Sequence, residues 1–259
     1  MQHLNQDFSK LLSIRLFVLT IFFTVISFNF IDIPLYKYSR SMSDSFFIFF
    51  KNVIDPFSDI VDPGVVFVLC LIFLWLIKTT KNIIKEPNKY LVLKKKLKLS
   101  KDIISLSLDY YTNIIKHLML SIIVSGAILH ICKYILGVSR PKYFFFQGYE
   151  RNNFFNFEHK VNSLPSGHTQ AAFTIAILCI LYINRYNYIY IFLAILMAIS
   201  RIFMSAHFPS DLILGAYIGC IFPILIYNLY FKKKFLSFKK KKIIDLNLFI
   251  KLIWYRLLL

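Results

Sequence analysis

Acidic residues are scarce in this chain: 13 Asp and Glu stand against 31 Lys and Arg in 259 residues, a formal charge of +18. Charged residues of both signs reach only 17%, whereas apolar residues make up 58% and aromatics 18%. So little charge over this length excludes an ordinary soluble domain. Glycine numbers 7 and proline 8, and no internal repeat or Gly- or Ser-rich linker breaks the chain. Residues 1–259 therefore read as one membrane-embedded domain. The four cysteines, Cys70, Cys132, Cys179 and Cys220, each fall in an apolar run without ligand-like pairing. That excludes a disulfide framework and a zinc site and leaves them as small apolar fillers.

What is present is a series of long apolar runs, at roughly 11–33, 61–77, 113–136, 168–184, 187–206 and 211–231. Each approaches the roughly 20 residues needed to cross a bilayer as a helix. The second is the weakest, with a clean core only from Gly64 to Ile77. The first is long and is followed by no Ala-x-Ala-like site, so it reads as an uncleaved helix and not a signal peptide. The expected fold is all-α, a six-transmembrane-helix bundle.

The positive charge is concentrated. Residues 78–101 hold nine Lys and one acid, Glu86, and residues 232–256 hold eight Lys and Arg256 with Asp245 the only acid. With a cytoplasmic amino terminus, six crossings put both blocks in the cytoplasm, as the positive-inside rule requires, and make 232–259 a basic cytoplasmic tail. The lysines report topology, so nucleic acid is not an expected partner; the bilayer is. The far side then receives residues 34–60, 137–167 and 207–210. Apolar residues at 46, 47, 50, 53, 54 and 57 form a helical stripe, suited to lying in the membrane plane or packing over the bundle.

Three polar clusters sit at that far side. KYILGVSRP runs from Lys133 to Pro141; its two cations are seven apart, on one face of a helix that persists so far, while Pro141 biases Arg140 toward an extended exit. NSLPSGHTQAAF runs from Asn162 to Phe173. There Ser166 is a helix N-cap, Gly167 allows close backbone approach, and His168 stands in a first turn whose free amides attract an anion. SRIFMSAHFPSD runs from Ser200 to Asp211 and carries Arg201, His207 and, after the helix-breaking Pro209, Asp211. An ionised Asp211 four residues from His207 is placed to bond one ring nitrogen and present the other as nucleophile or base. Ionisable groups at the end of an apolar helix read as functional.

Taken together, Lys133, Arg140 and Arg201 supply cations and Ser166 and the Gly167 amide supply neutral donors for a tetrahedral phosphate. Two histidines divide nucleophilic attack and protonation of the leaving oxygen. No carboxylate cluster suited to Mg²⁺ or paired metals is expected on that face, so no metal and no cofactor is expected.

Lys133, six residues, Arg140-Pro141; Pro165-Ser166-Gly167-His168; Ser200-Arg201, five residues, His207, three residues, Asp211: in order and spacing this resembles the three-part signature of the type 2 phosphatidic acid phosphatase superfamily. The likeness covers residues 133–211 and the six-span layout. It implies that His207 is the nucleophile forming a phosphohistidine, that Asp211 orients it, that His168 is the general acid, and that Lys133, Arg140, Ser166, Gly167 and Arg201 bind phosphate. The family also includes soluble vanadium-dependent haloperoxidases, and six spans point instead to its bacterial membrane lipid phosphatase branch.

The expected activity is hydrolysis of a lipid phosphate such as lipid A, undecaprenyl pyrophosphate or phosphatidylglycerol phosphate. The alternatives are a phosphotransferase between membrane lipids and a non-enzymatic lipid transporter, the latter disfavoured because transport requires neither nucleophile nor acid. Lys-, Ile-, Asn- and Phe-heavy usage points to an AT-rich bacterial genome. The expected location is the bacterial inner membrane, with the active site facing the periplasm. Phe144 to Phe146 read as an anchor or lip for lipid tails. His117 and His130 read as packed helix residues, with a supporting role open for His130 one turn from Lys133.

Overall fold

A computed structural model describes residue 8, residues 10–239 and residues 241–257. The outer ends of the 1–259 and 232–259 ranges, and Lys240, lie outside these. Among the described residues the protein is helical, without strands and with one isolated antiparallel bridge between Val138 and Asn152.

Helix α1 spans Ile14–Ser41 and contains a π-helical turn at Ser27–Ile31. Ser13 caps it by accepting from the Leu16 amide at 3.3 Å. Helix α2 covers 44–60, α3 Pro63–Lys85, α4 Pro87–Leu97 and α5 Lys101–Leu136. Then follow α6 Pro141–Gln147, α7 Gly167–Tyr182, α8 Asn187–Phe203, α9 Pro209–Phe238 and α10 Leu246–Leu257.

Four of these, α1, α3, α5 and α9, are long and apolar enough to cross a membrane. The fourth and fifth apolar runs form helices of only 16 and 17 residues, α7 and α8. Helix α7 stops short of its run at a turn where Asn184 and Tyr186 adopt positive φ, and α8 stops at Phe203, before the turn that carries His207. The weak second run, by contrast, becomes a 23-residue helix, because the lysines that follow Ile77 continue it. Large apolar side chains stand exposed in runs along these helices, including Phe17, Phe22 and Phe23 on α1, Leu71, Ile72 and Trp75 on α3, and Ile189 and Phe192 on α8. Water penalises such surfaces and lipid does not. The chain is a multi-pass membrane protein.

Two compact units are distinguished: Met1–Val66 with Leu120–Leu225, and Phe67–Met119 with Ile226–Leu259. The second is built on Ile77, Leu93, Leu97, Ile104, Leu108 and Leu252, with Tyr111 stacked on Phe249 at 3.9 Å. Its lysine-rich block is folded, since Leu93 and Leu97 give α4 a buried stripe while the lysines stay in water. His117, fully buried, lies 4.8 Å from the Phe231 ring.

The first unit carries the three polar clusters. Ala172, Ala176 and Ala194 let α7 and α8 approach closely. Two glycines on α9 do the same for α7: a Cβ at Gly215 would lie 2.7 Å from the Ser166 carbonyl oxygen, and one at Gly219 would lie 2.4 Å from that of Gln170. Small residues four apart thus seat one helix on the next. Polar bonds add to the contact, with Gln170 donating to Ser125 at 2.6 Å and Thr174 to the Gly219 carbonyl at 3.2 Å. Helix α2 lies on α8 through Phe50, stacked on Phe203 at 4.3 Å, and leaves Phe46, Phe49 and Phe57 exposed.

Candidate active site

The first cluster is shaped by the end of α5. The helix stops at Leu136, so Lys133 and Arg140 are not joined by two helical turns. They are brought together by a turn. Gly137 takes φ of +52°, and a Cβ there would stand 1.7 Å from the Asn153 carbonyl oxygen, a place only glycine fits. Beyond it the chain runs extended against the loop that follows, with Ser139 donating to the Arg151 carbonyl at 3.0 Å and Ser163 to the Val138 carbonyl at 2.8 Å. Arg140 is extended, as Pro141 requires, and its amide bonds the Lys160 carbonyl at 3.1 Å. Buried Lys133 donates to the Asn162 carbonyl at 2.9 Å, which leaves two ammonium protons for a ligand. The Arg140 Nε is buried with no protein partner among the described residues.

The second cluster opens α7. Ser166 is its N-cap: its Oγ accepts from the Thr169 amide at 3.4 Å and the Thr169 hydroxyl at 3.0 Å. With its acceptor sites so used, the Ser166 hydroxyl proton is left to donate. A Cβ at Gly167 would meet no atom within 4 Å, so the first-turn amides are open to an anion.

The third cluster turns back sharply. The amides of Ala206 and His207 bond the Arg201 carbonyl at 3.0 and 3.2 Å, and Pro209 then starts α9. His207 Nδ1 lies 3.2 Å from Asp211 Oδ2, and both residues are buried. The same carboxylate oxygen accepts from the Phe208 amide at 2.7 Å and from the Ser163 hydroxyl. With Nδ1 engaged, Nε2 is the nitrogen His207 has left to react. Burial pushes the His207 imidazolium well below its ordinary 6.5, and the cations Lys133, Arg140 and Arg201, with His168, push it further. His207 is therefore neutral at neutral pH, with its lone pair available. The Lys133 bond to the Asn162 carbonyl and the Ser163 bond to Asp211 bring the three clusters together. Burial also draws the Arg140 guanidinium down from its usual range, while Asp211 opposes that shift.

The site contains residues that sequence reasoning missed. Ser163 lies between the motifs and reaches both Asp211 and, at 3.3 Å, His207 Nδ1. Fully buried Asp32 on α1 accepts from the amide of Ser210 at 2.9 Å and from its hydroxyl at 2.6 Å, and pairs with Arg151. The Arg151 guanidinium covers the Phe208 ring at 3.7 Å. This network supports the turn bearing His207 through Phe208 and Ser210.

Carboxylates that sequence reasoning did not place also reach this face. Helix α2 docks on α8 and brings Asp55 to 2.6 Å and Asp59 to 3.7 Å from Arg201. Asp62 Oδ2 lies 3.5 Å and Asp59 Oδ1 3.9 Å from His168 Nε2. The i,i+4 spacing of Asp55 and Asp59, which puts both on one face of α2, was the available signal. Among the described residues no three His, Cys, Asp or Glu side chains form a metal-ligand group.

The aromatic run also divides. Phe144 and Phe145 pack on Tyr36, Ile202 and Phe208, with Phe145 stacked on Tyr36 at 4.6 Å, whereas Phe146 is 72% exposed. Three consecutive residues of α6 point in different directions, so of the three only Phe146 stays exposed. His130 is exposed on α5.

Residues 115–235 match the PAP2 superfamily model. Lipid A 1-phosphatase of Rhizobium johnstonii is 29% identical over 109 residues, 42% of this chain and 45% of the relative. That of Rhizobium etli is 29% identical over the same length, 47% of the relative. Bacitracin transport permease protein BcrC of Bacillus licheniformis is 34% identical over 71 residues, 27% of this chain and 35% of the relative. The chain thus covers less than half the length of each of these relatives. No solved structure matches it significantly. The family match spans all three clusters, from Lys133 to Asp211, and supports the likeness to the type 2 phosphatidic acid phosphatase superfamily.

Proposed function

We propose that the protein is a lipid phosphate phosphatase of the bacterial inner membrane, with six crossings, both termini cytoplasmic and the active site at the periplasmic end. One observation carries the reading: a buried, neutral His207, held through Nδ1 by Asp211, with three cations and a second histidine acting on the same ring. The PAP2 match and the lipid A 1-phosphatase relatives support it.

In this mechanism the phosphate binds among Lys133, Arg140, Arg201, the Ser166 hydroxyl and the amides at Gly167. His207 Nε2 attacks phosphorus while the bond to the lipid oxygen breaks, and His168 gives that oxygen its proton. Asp211 stabilises the positive charge that develops on His207 and fixes the ring's tautomer. Water then attacks the phosphohistidine, His168 takes back a proton, and inorganic phosphate and free His207 result. Fixed protein cations meet the charge of the transition state, so no metal is needed. Phe146 and the exposed phenylalanines of α2 suit a substrate with acyl or prenyl tails, because each buried methylene contributes about 0.8 kcal/mol. Lipid A, undecaprenyl pyrophosphate and phosphatidylglycerol phosphate are the leading substrates.

The test is phosphate release by the purified protein from a panel of lipid phosphates in mixed micelles, with and without chelator. Release from at least one lipid, insensitive to chelator and abolished by His207→Ala, is expected. Release from none, undiminished release by the variant, or an obligatory Mg²⁺ requirement would overturn the assignment.

A further inference from the structure

Arg201 is held by a carboxylate from a distant part of the chain. Its NH1 lies 2.6 Å from Asp55 Oδ1 and 3.4 Å from the Ser58 hydroxyl, with Asp59 at 3.7 Å. The pair is largely enclosed, the side chains being 12% and 22% exposed. Arg201 Nε is buried with no protein partner among the described residues, so the guanidinium fork is only partly used. Arginine binds carboxylate and phosphate through the same planar fork, which makes the two anions competitors for one edge.

The placement of Asp55 shows what it competes for. Arg201 NH1 and His168 Nε2 lie 3.7 and 3.9 Å from the same Asp59 Oδ1, and the His207 amide bonds the Arg201 carbonyl, so the fork belongs to the site of the two histidines and not to a remote surface pair. Asp59 and Asp62, from the same segment, approach His168 on the pocket's other histidine. The segment is seated by the Phe50 and Phe203 stack and by the Asp55 pair, both on α8, while its own phenylalanines 46, 49 and 57 are exposed.

We propose that Asp55 is an affinity-setting residue that occupies Arg201 in the free protein and is displaced by a phosphoryl oxygen. The inference rests on the phosphate-site reading above. An unopposed pocket of three cations would hold the dianionic product, inorganic phosphate, tightly. A resident carboxylate weakens every anion by the same competition. A lipid phosphate offsets that cost by burying its tails, and free phosphate has nothing to offset it with. Asp55 thereby lowers the affinity for free phosphate and favours product release, while the buried tails keep a lipid phosphate bound.

The experiment is calorimetric titration of inorganic phosphate into the detergent-solubilised full chain and its Asp55→Asn, Asp55→Ala and Arg201→Ala variants. Helix content and thermal midpoint are recorded for each. Both Asp55 variants are expected to bind phosphate about three- to tenfold more tightly than wild type, the factor that loss of one partly enclosed ion pair allows. Arg201→Ala should bind it more weakly than wild type. Folded Asp55 variants that bind phosphate equally or more weakly would overturn the proposal, because Asp55 would then support Arg201 in the bound state. Should either Asp55 variant unfold, competition of free glutamate or acetate with phosphate on the wild type supplies the second measurement, and no such competition counts against displacement. Phosphate binding that Arg201→Ala leaves unchanged would instead overturn the phosphate-site reading itself.

Discussion

The main-chain amide of Ser166 donates to the carbonyl oxygen of Asp211 at 3.0 Å. The cap of α7 and the first turn of α9 are thus fastened backbone to backbone, whatever side chains surround them. The first-turn amides of α7 and the Asp211 side chain, which the proposed mechanism uses to bind the anion and to orient His207, keep a fixed separation.

Ser163 should affect rate more than substrate binding. It donates to Asp211 and touches His207 Nδ1 but contributes nothing to the cationic pocket. Ser163→Ala removes a hydrogen bond whose net value is about 1 kcal/mol, so kcat should fall roughly fivefold to tenfold with little change in KM. Asp211→Asn should cost far more, on the order of 10⁴ in kcat, because it reverses the tautomer of the ring. Steady-state kinetics on a lipid phosphate check both.

The two kinds of glycine should separate in their effects. Gly219→Leu drives a side chain into the Gln170 carbonyl 2.4 Å away and should destabilise the α7–α9 contact by about 1–3 kcal/mol. Gly167→Ala meets no atom within 4 Å and should leave the thermal midpoint unchanged while weakening phosphate binding, since the added methyl stands on the face the anion approaches. Thermal unfolding in detergent, with phosphate titration, distinguishes the two.

Acid should weaken the fold through His207. Its folded-state value is depressed below the ordinary 6.5, so below that pH the unfolded chain takes up a proton that the folded chain refuses. The stabilisation is complete above 6.5 and is lost as pH falls beneath it. His159, depressed by Arg140, by burial and by Lys133, acts in the same direction. Between about pH 7.5 and about pH 5.5 the wild type should lose roughly 1 kcal/mol that His207→Asn does not lose. Matched thermal midpoints at the two pH values provide the measurement.

Topology is open to a direct test. Reporter fusions at residues 90 and 155 should report opposite sides of the membrane, the first cytoplasmic and the second periplasmic. The same side for both would contradict six crossings.

Much of the site was legible because its signals are local. The Ser166 cap, the turn before Pro209 and the i,i+4 pair of His207 and Asp211 depend on neighbours within a few residues. What the sequence concealed depends on distant partners. Asp32 meets Ser210 across 178 positions, Arg201 meets Asp55 across 146, and Ser163 meets Asp211 across 48. Nothing near Asp32 or Arg151 marks them out until the chain is folded. Helix lengths were legible only where no turn intervened, so α3 outran its apolar core and α7 stopped short of its own.

The pairing of Arg151 with Asp32 ties the order of assembly to the chemistry. Arg151 lies between the second and first clusters in sequence, yet its countercharge belongs to α1, the earliest described span. During synthesis α1 precedes the loop by more than a hundred residues, so the acid is in place before the arginine arrives. A chain severed between Ser41 and Asp44 whose α1 dissociated would bury Arg151 beside the His207 turn without its partner, a cost of about 3–5 kcal/mol. The first helix is in this sense a built-in inspector of the finished fold: a molecule that has mislaid α1 is penalised at the turn that carries His207.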